Sequence, residues 1–396
     1  MLATKPQAAA WVPPTAGSGL HVALATISFF VTFAAWGSIA AFAPHFREVH
    51  GLSATATSFL VAVPVLLGSL ARLPMGMLAD RFSGRWVMAI LTFAVAVPVA
   101  LVPRATSYRE LLAVAFFVGL AGSTFPVGAT YVSRWTPPEK QGSALGMYGV
   151  GNVGQSAIVF LGPLLAASLG LTTLYHALAA ILAIWAVIWL LTARDAPAKA
   201  ATTSGWSALR RVLVQKAAWA LSLFYFLTFG GFVAFGIYLP TLLRDTFSLS
   251  LADAGFRTAG FVLLATLLRP VGGILSDRIG GARVLSFVLV GVAPCAMLLA
   301  WPSMVPFTIG ALSCAALMGL GNGAVFKLVP QVFPEDTGTA TGLVGAMGGL
   351  GGFFPPLLLG VFRDFFGETW PAFALLSASA LALALLNRRL FLARRA

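Results

Sequence analysis

Charge is what this sequence has least of. Only 9% of its 396 residues are Asp, Glu, Lys or Arg, where a soluble domain carries roughly a quarter. Acidic residues are the scarcer sign, 12 against 25 basic ones, and each falls in a polar stretch or at the edge of an apolar one. The two cysteines, Cys295 and Cys314, have no CxxC or Cys/His spacing, which excludes a disulfide framework and a cysteine-ligated metal and leaves packing within apolar helices as their role. Four histidines, His21, His45, His50 and His176, sit near the ends of apolar stretches without ligand spacing. No serine–histidine–acid set or nucleotide-binding glycine loop accompanies them. The expectation is a chain with no metal, no cofactor and no catalytic residues.

Long apolar runs are abundant instead. Hydrophobic residues make up 59% of the chain and mean hydropathy is +0.91. Stretches of about 20 apolar residues, each long enough to cross a ~30 Å hydrocarbon core as a helix, recur twelve times, at about 20–44, 54–78, 86–103, 110–131, 142–168, 173–193, 217–240, 255–276, 284–301, 306–329, 339–362 and 370–387. The alternating pattern of a membrane β-barrel is absent. The class is an all-α membrane protein with twelve transmembrane helices.

The formal charge of +13 follows topology. Arg81, Arg85, Arg134, Lys140, Arg194, Lys199, Arg210, Arg211, Lys216, Arg278, Arg283, Arg388, Arg389, Arg394, Arg395 and Lys5 fall on one side of the membrane. Arg47, Arg104, Arg109, Arg244, Arg257 and Arg363 fall on the other. The positive-inside rule makes the richer side cytoplasmic, with both termini and the central loop there. The basic balance thus points to anionic membrane lipid and not to nucleic acid. Residues 1–19 lack the short apolar core and small-residue cleavage site of a signal peptide and are expected to be a cytosolic tail. A bacterial inner, plasma membrane is the expected location.

The chain repeats itself. VPVLLGSLARLPMGMLADRFSGR aligns with VLLATLLRPVGGILSDRIGG, so that Arg72, Gly76, Asp80 and Arg81 match Arg269, Gly273, Asp277 and Arg278. PPEKQGSALGMYG matches FPEDTGTATGLVG at nearly the same offset. The polar segment 194–216 separates the copies as a cytosolic linker, giving six-helix bundles over 20–193 and 217–387 and a basic tail over 388–396. Parallel six-helix repeats that rock about a midplane site describe a major facilitator fold. The glycine in each GxxxD run lets a neighbouring helix approach, while Asp80, Arg81, Asp277 and Arg278 are placed to pair across the interface and latch one conformation.

Arg72 and Arg269 each precede their aspartate by eight residues, roughly 12 Å of helix, which sets both guanidiniums near the midplane. An intramembrane cation needs a partner, and no acidic residue lies at that depth. A planar fork of donors suits a small planar oxyanion from solution; the alternative is a structural arginine bonded to the carbonyls of a kinked backbone. Lys327 is a third deep cation. Either it snorkels to the cytosolic surface, or it faces the cavity with the arginines, where it would take up a proton as the anion binds and release it as the anion leaves. The fifth and eleventh spans, GSALGMYGVGNVGQ and GTATGLVGAMGGLGG, bring Gly146, Gly149, Gly151, Gly154, Gly342, Gly345, Gly348 and Gly349 to close helix packing and to flexing during rocking.

AGSTFPVGATYVSRWTPPEKQGSALGMYGVGNVGQS and GNGAVFKLVPQVFP resemble the nitrate/nitrite porter family of the major facilitator superfamily, and the resemblance spans essentially all twelve helices. It implies secondary active transport of nitrate, nitrite or both, with Arg72 and Arg269 holding the anion. It also implies that Asn152 reaches the substrate through its amide and that Phe125 and Tyr225 flank it, with Phe229 one turn beyond as a lesser candidate. The residues alone leave these as packing aromatics and a helix-bridging asparagine. The FKLVP form of the tenth helix favours proton-coupled nitrate uptake, with nitrate/nitrite antiport as the alternative and a carrier of another small anion behind it. A monomer is the family-like expectation.

Overall fold

A computed structural model describes residues 18–196, 205–366 and 370–393, and among them every regular element is helical. Eleven helical segments are long and apolar enough to span a membrane: Ser18–Ala41, Phe59–Arg81, Gly84–Arg104, Tyr108–Trp135, Pro138–Leu169, Leu171–Thr192, Lys216–Pro240, Asp253–Ile279, Gly281–Leu299, Met304–Val332 and Trp370–Leu392. The 30-residue helix Thr337–Phe366 stands before the last of these and fills the eleventh place of twelve. Helices dominate because a chain in hydrocarbon must satisfy its backbone within itself. Several starts are written locally: Ser53, Ser83 and Ser250 cap the second, third and eighth spans, and Ser107 forms a capping box with Glu110 at the fourth. Large apolar residues such as Phe93, Phe160, Leu191 and Val305 remain exposed, as a lipid-facing belt requires.

The helices pack as two bundles. Within one, the first span lies along the fifth and the third along the sixth; within the other, the tenth lies along the eighth and ninth, and the ninth along the twelfth. The most extensive crossings between the bundles are the second span against the eleventh helix and the beginning of the fifth span against the eighth. These crossings are related by the internal repeat. Together they bring the linker ends of the halves into contact.

Regular helix is interrupted in four spans at similar depth. The second breaks at Ala71 between Ala54–Leu70 and Arg72–Arg81. The fourth has a 3-10 turn at Gly119–Ser123, the fifth another at Val150–Asn152, and the seventh a π turn at Phe226–Gly230. Irregular backbone at membrane depth is tolerated where it is buried in protein or lines a cavity, and π turns concentrate at functional sites.

The structure differs from the sequence reading at two ends. The 194–216 linker contains an amphipathic helix, Gly205–Val214, that buries Ala208 and Val212 and packs on both the second span and the eleventh helix. The last helix continues through Arg388 and Arg389 to Leu392 and does not give way to a tail at 388. Lys5 and Lys199, with the ends of both expected tails, lie outside the described residues.

Candidate functional site

Arg72 and Arg269 point inward, 2% and 3% exposed. Arg72 Nε donates to the Gly122 carbonyl at 3.0 Å and its Nη1 to the Gly345 carbonyl at 2.6 Å, so this side chain from the first half is bonded to a helix of the second. Arg269 Nη1 donates to the Gly149 carbonyl at 3.2 Å, reaching across in the opposite sense. Gly122 lies in a 3-10 turn, and Gly149 directly precedes one. The structural alternative for the arginines is therefore partly realised. It does not exhaust them, because Nε and Nη2 of Arg269 are buried with no hydrogen-bond partner among the described residues. An unpaired buried donor costs about 1–3 kcal/mol, more when it is charged.

Aromatic rings enclose the two forks. The Phe229 ring lies 5.6 Å from the Arg72 guanidinium carbon and 5.3 Å from that of Arg269, so one ring serves both cations. Phe125 adds a second face to Arg72 at 5.8 Å and Phe232 one to Arg269 at 5.0 Å. Tyr225 stacks on Phe229 with ring planes 3° apart, and Phe326 stands edge-on to both Tyr225 at 4.7 Å and Phe125 at 4.9 Å. Asn152, 1% exposed, leaves both amide atoms unpartnered. All six residues proposed from sequence as substrate ligands are thus buried. Five of them form one linked arginine–aromatic cluster, and Asn152 sits three residues past Gly149, whose carbonyl receives Arg269. The sequence reading did not contain Phe326, although it precedes Lys327 and completes the aromatic wall.

At the linker end, each aspartate caps a helix of the opposite half. Asp80 accepts from the Gly338 and Thr339 amides at 2.8 and 2.6 Å and from the Thr339 hydroxyl at 2.8 Å, at the start of the eleventh helix. Asp277 accepts from the Gly142 and Ser143 amides at 2.9 and 2.7 Å, at the start of the fifth. A carboxylate at a helix N-terminus satisfies free amides and complements the dipole. The backbones meet there too. A Cβ added to Gly76 would collide with the Gly338 carbonyl, and one added to Gly273 with that of Gly142. Gly146 and Gly149 abut Arg269, as Gly342 and Gly345 abut Arg72, and Gly349 faces Ser69 across the halves. Gly151 and Gly154 pack instead on the first span at Phe29 and Phe30, and Gly348 on the Tyr225 ring, all within their own halves.

The cations of the latch are not the ones expected. Arg81 and Arg278 are exposed and make no ion pair with a described residue. Arg134 takes the Asp80 side, 3.7 Å from its carboxylate, and Lys327 the Asp277 side at 2.6 Å, with a further bond to the Pro138 carbonyl. Lys327 therefore neither snorkels nor stands free with the arginines: it is 3% exposed and its partner is a carboxylate. The guanidiniums and rings of the cluster are packed together, each 5% exposed or less. Two surface clefts lie elsewhere, one between the first and fifth spans and an apolar one of about 370 Å³ between the seventh and twelfth.

A sequence model of the Major Facilitator Superfamily matches residues 25–330 and 221–396. The nitrite extrusion protein of Bacillus subtilis is 39% identical over 365 residues, covering 92% of each chain. The probable nitrate/nitrite antiporter NarK1 of Thermus thermophilus is 38% identical over 370 residues, 84% of this chain and 83% of its own. This chain belongs to the nitrate/nitrite porter family of the major facilitator superfamily.

The porter shares its fold more widely. The human organic anion transporter MFSD10 superposes with a TM-score of 0.79 at 19% identity, over 94% of this chain and all 100% of that one. The Escherichia coli fucose:proton symporter FucP gives 0.77 at 17%, over 94% and 98%. These likenesses carry the twelve-helix architecture alone. The porter is a multi-pass membrane transporter and not an enzyme.

Proposed function

We propose that the porter carries nitrate and nitrite by alternating access between the two bundles, with the linker end facing the cytosol. One observation carries the reading: guanidiniums from opposite halves both lie against the Phe229 ring, while two nitrogen donors of Arg269, Nε and Nη2, stay unspent. A small planar anion supplies the missing acceptors, and flat walls from Phe125, Tyr225, Phe229 and Phe326 favour it over tetrahedral or bulky anions. Binding to both arginines draws the halves together, so the loaded carrier is the one that crosses.

Exchange is the coupling mode the geometry favours. Two permanent cations resist reorientation through the low-dielectric middle without an anion, and Lys327, the candidate proton carrier, is engaged by Asp277. Exchange of nitrate for nitrite moves no net charge, so an inside-negative potential, worth about 2.3 kcal/mol per 100 mV for a single anion, does not oppose it. Proton-coupled uptake is the second reading, supported by the burial of Lys327 within the latch between the halves, where it meets Asp277 and the Pro138 carbonyl. Full-length porter in proteoliposomes separates the two. Labelled nitrate uptake is expected to require internal nitrite or nitrate and to ignore an imposed pH gradient. Uptake into anion-free vesicles driven by external acid, and lost in Lys327→Gln, selects the proton-coupled reading. No flux of either anion in any condition overturns the substrate assignment itself.

A further inference from the structure

Among the described residues, three side chains leave two buried polar atoms without a hydrogen-bond partner: Asn152, Arg269 and Asn322. The first two already belong to the anion site. Asn322 lies on the tenth span, 3% exposed, with both Nδ2 and Oδ1 unpaired. A buried structural asparagine looks different. Asn387 donates both to the Ala282 carbonyl and to Ser286 Oγ, each at 2.8 Å, and so ties two helices together.

The neighbours of the tenth span fix where Asn322 faces. Gly319 and Gly323 abut the eighth span, Gly323 against the Arg269 carbonyl itself. Gly321 abuts Thr228 of the seventh span and Val288 of the ninth, and Met318 reaches Gly231 of the seventh. Residue 322 falls on the remaining arc, between the seventh- and eighth-span contacts, and Phe326 shares that arc one helical turn on. Phe326 reaches Phe125 and Tyr225 at the centre of the molecule. Position 322 therefore faces the same centre, and its amide is the polar counterpart of that aromatic wall.

We infer that Asn322 is a substrate-binding residue of the porter, its Nδ2 donating to an anion oxygen from the second half as Asn152 does from the first. The site then draws one guanidinium and one amide from each bundle, the arginines from repeat-related helices and the asparagines from the fifth and tenth spans, which the repeat does not pair. This inference rests on the anion-carrier reading above. Its physical basis is the cost of the unpaired amide: a buried Nδ2 donor without a partner is a standing destabilisation that a bound oxyanion, an acceptor, relieves.

The test uses full-length porter and two variants, Asn322→Leu and Asn322→Asp, read by nitrate/nitrite counterflow and by thermal unfolding with and without nitrate. Asn322→Leu removes two unpaired polar atoms at similar volume, so the anion-free protein is expected to unfold at the same or a higher temperature. Its nitrate-induced stabilisation should shrink and its KM rise about tenfold, as for loss of a hydrogen bond to a charged group. Asn322→Asp places a carboxylate against the anion and is expected to abolish nitrate stabilisation. A purely structural asparagine gives the reverse pattern, a lower unfolding temperature without nitrate and an unchanged KM in the folded fraction. That pattern, or an unchanged nitrate shift in Asn322→Asp, overturns the assignment. Counterflow by the unsubstituted porter reports separately on the carrier reading, because its absence defeats that reading before either variant is compared.

Discussion

Arg72 and Arg269 show why charge alone does not describe a site. They occupy matching places in the repeat, yet Arg72 spends Nε and Nη1 on backbone carbonyls while Arg269 spends only Nη1. A lysine keeps the charge and loses the planar fork. Arg72→Lys is expected to reduce both exchange and thermal stability, because it gives up two bonds, one to the Gly122 carbonyl of its own half and one to the Gly345 carbonyl of the other. Arg269→Lys should reduce exchange by tenfold or more, on the order of 1.5–3 kcal/mol for a charged hydrogen bond, with stability nearly unchanged. Counterflow and unfolding temperatures of the two variants side by side check this split. Equal loss of stability in both would remove the asymmetry. The depth of these arginines was legible from spacing to Asp80 and Asp277, but which of their donors stay free was not, because that depends on where broken helices of the other half leave their carbonyls.

Helix crossings carry the next level of argument. The second span meets the eleventh helix, and the eighth meets the fifth, at glycine pairs where backbone touches backbone. Gly76→Ala and Gly273→Ala each insert a methyl group where no space exists, so neither variant closes its linker end fully. Both are expected to stay folded, since each half packs its own core, and to lose most exchange. A single cysteine placed near the cluster should become reactive to a membrane-impermeant thiol reagent from the linker side in these variants and stay protected in the unsubstituted fold. Unchanged protection would show that the crossing tolerates the methyl group. The glycine repeats announced close packing in the sequence. Which glycines face the other half and which face their own, as Gly151 and Gly154 do against Phe29 and Phe30, required the helix rotations.

At the scale of the whole molecule, the linker helix makes a further connection between halves. Arg211 donates to Asp336 through Nε at 3.0 Å and Nη2 at 2.7 Å, just ahead of the helix start that Asp80 caps. The Asp336 carboxylate raises the basicity of Arg211, chiefly through that hydrogen bond, so Arg211 stays protonated at any working pH. Arg211 is 38% exposed, and partly exposed pairs contribute about 0–1 kcal/mol. Arg211→Ala is therefore expected to shift the balance toward the linker-end-open state by only a few-fold. Asp80→Ala, which strips a buried carboxylate from two amides, a hydroxyl and Arg134, should shift it far more. Interspin distances between labels on the two sides of the linker end measure both populations. A larger effect from Arg211→Ala would make the strap, and not the capped helix ends, the principal latch.

Composition and periodicity by themselves determined that this chain crosses a membrane as helices, that it is a duplicated six-helix unit, and that a cation from each copy lies at mid-depth. These follow from local physics: apolar length sets spans, internal repeats set pseudo-symmetry, and 1.5 Å per residue sets depth. The tertiary structure decided partnership. It gave Asp80 and Asp277 to helix starts of the opposite half, replaced Arg81 and Arg278 by Arg134 and Lys327, turned Phe326 toward the centre, and folded part of the linker into a helix. Such pairings depend on how each helix is rotated and where the two bundles stand, and those quantities are set by packing between residues far apart in the chain.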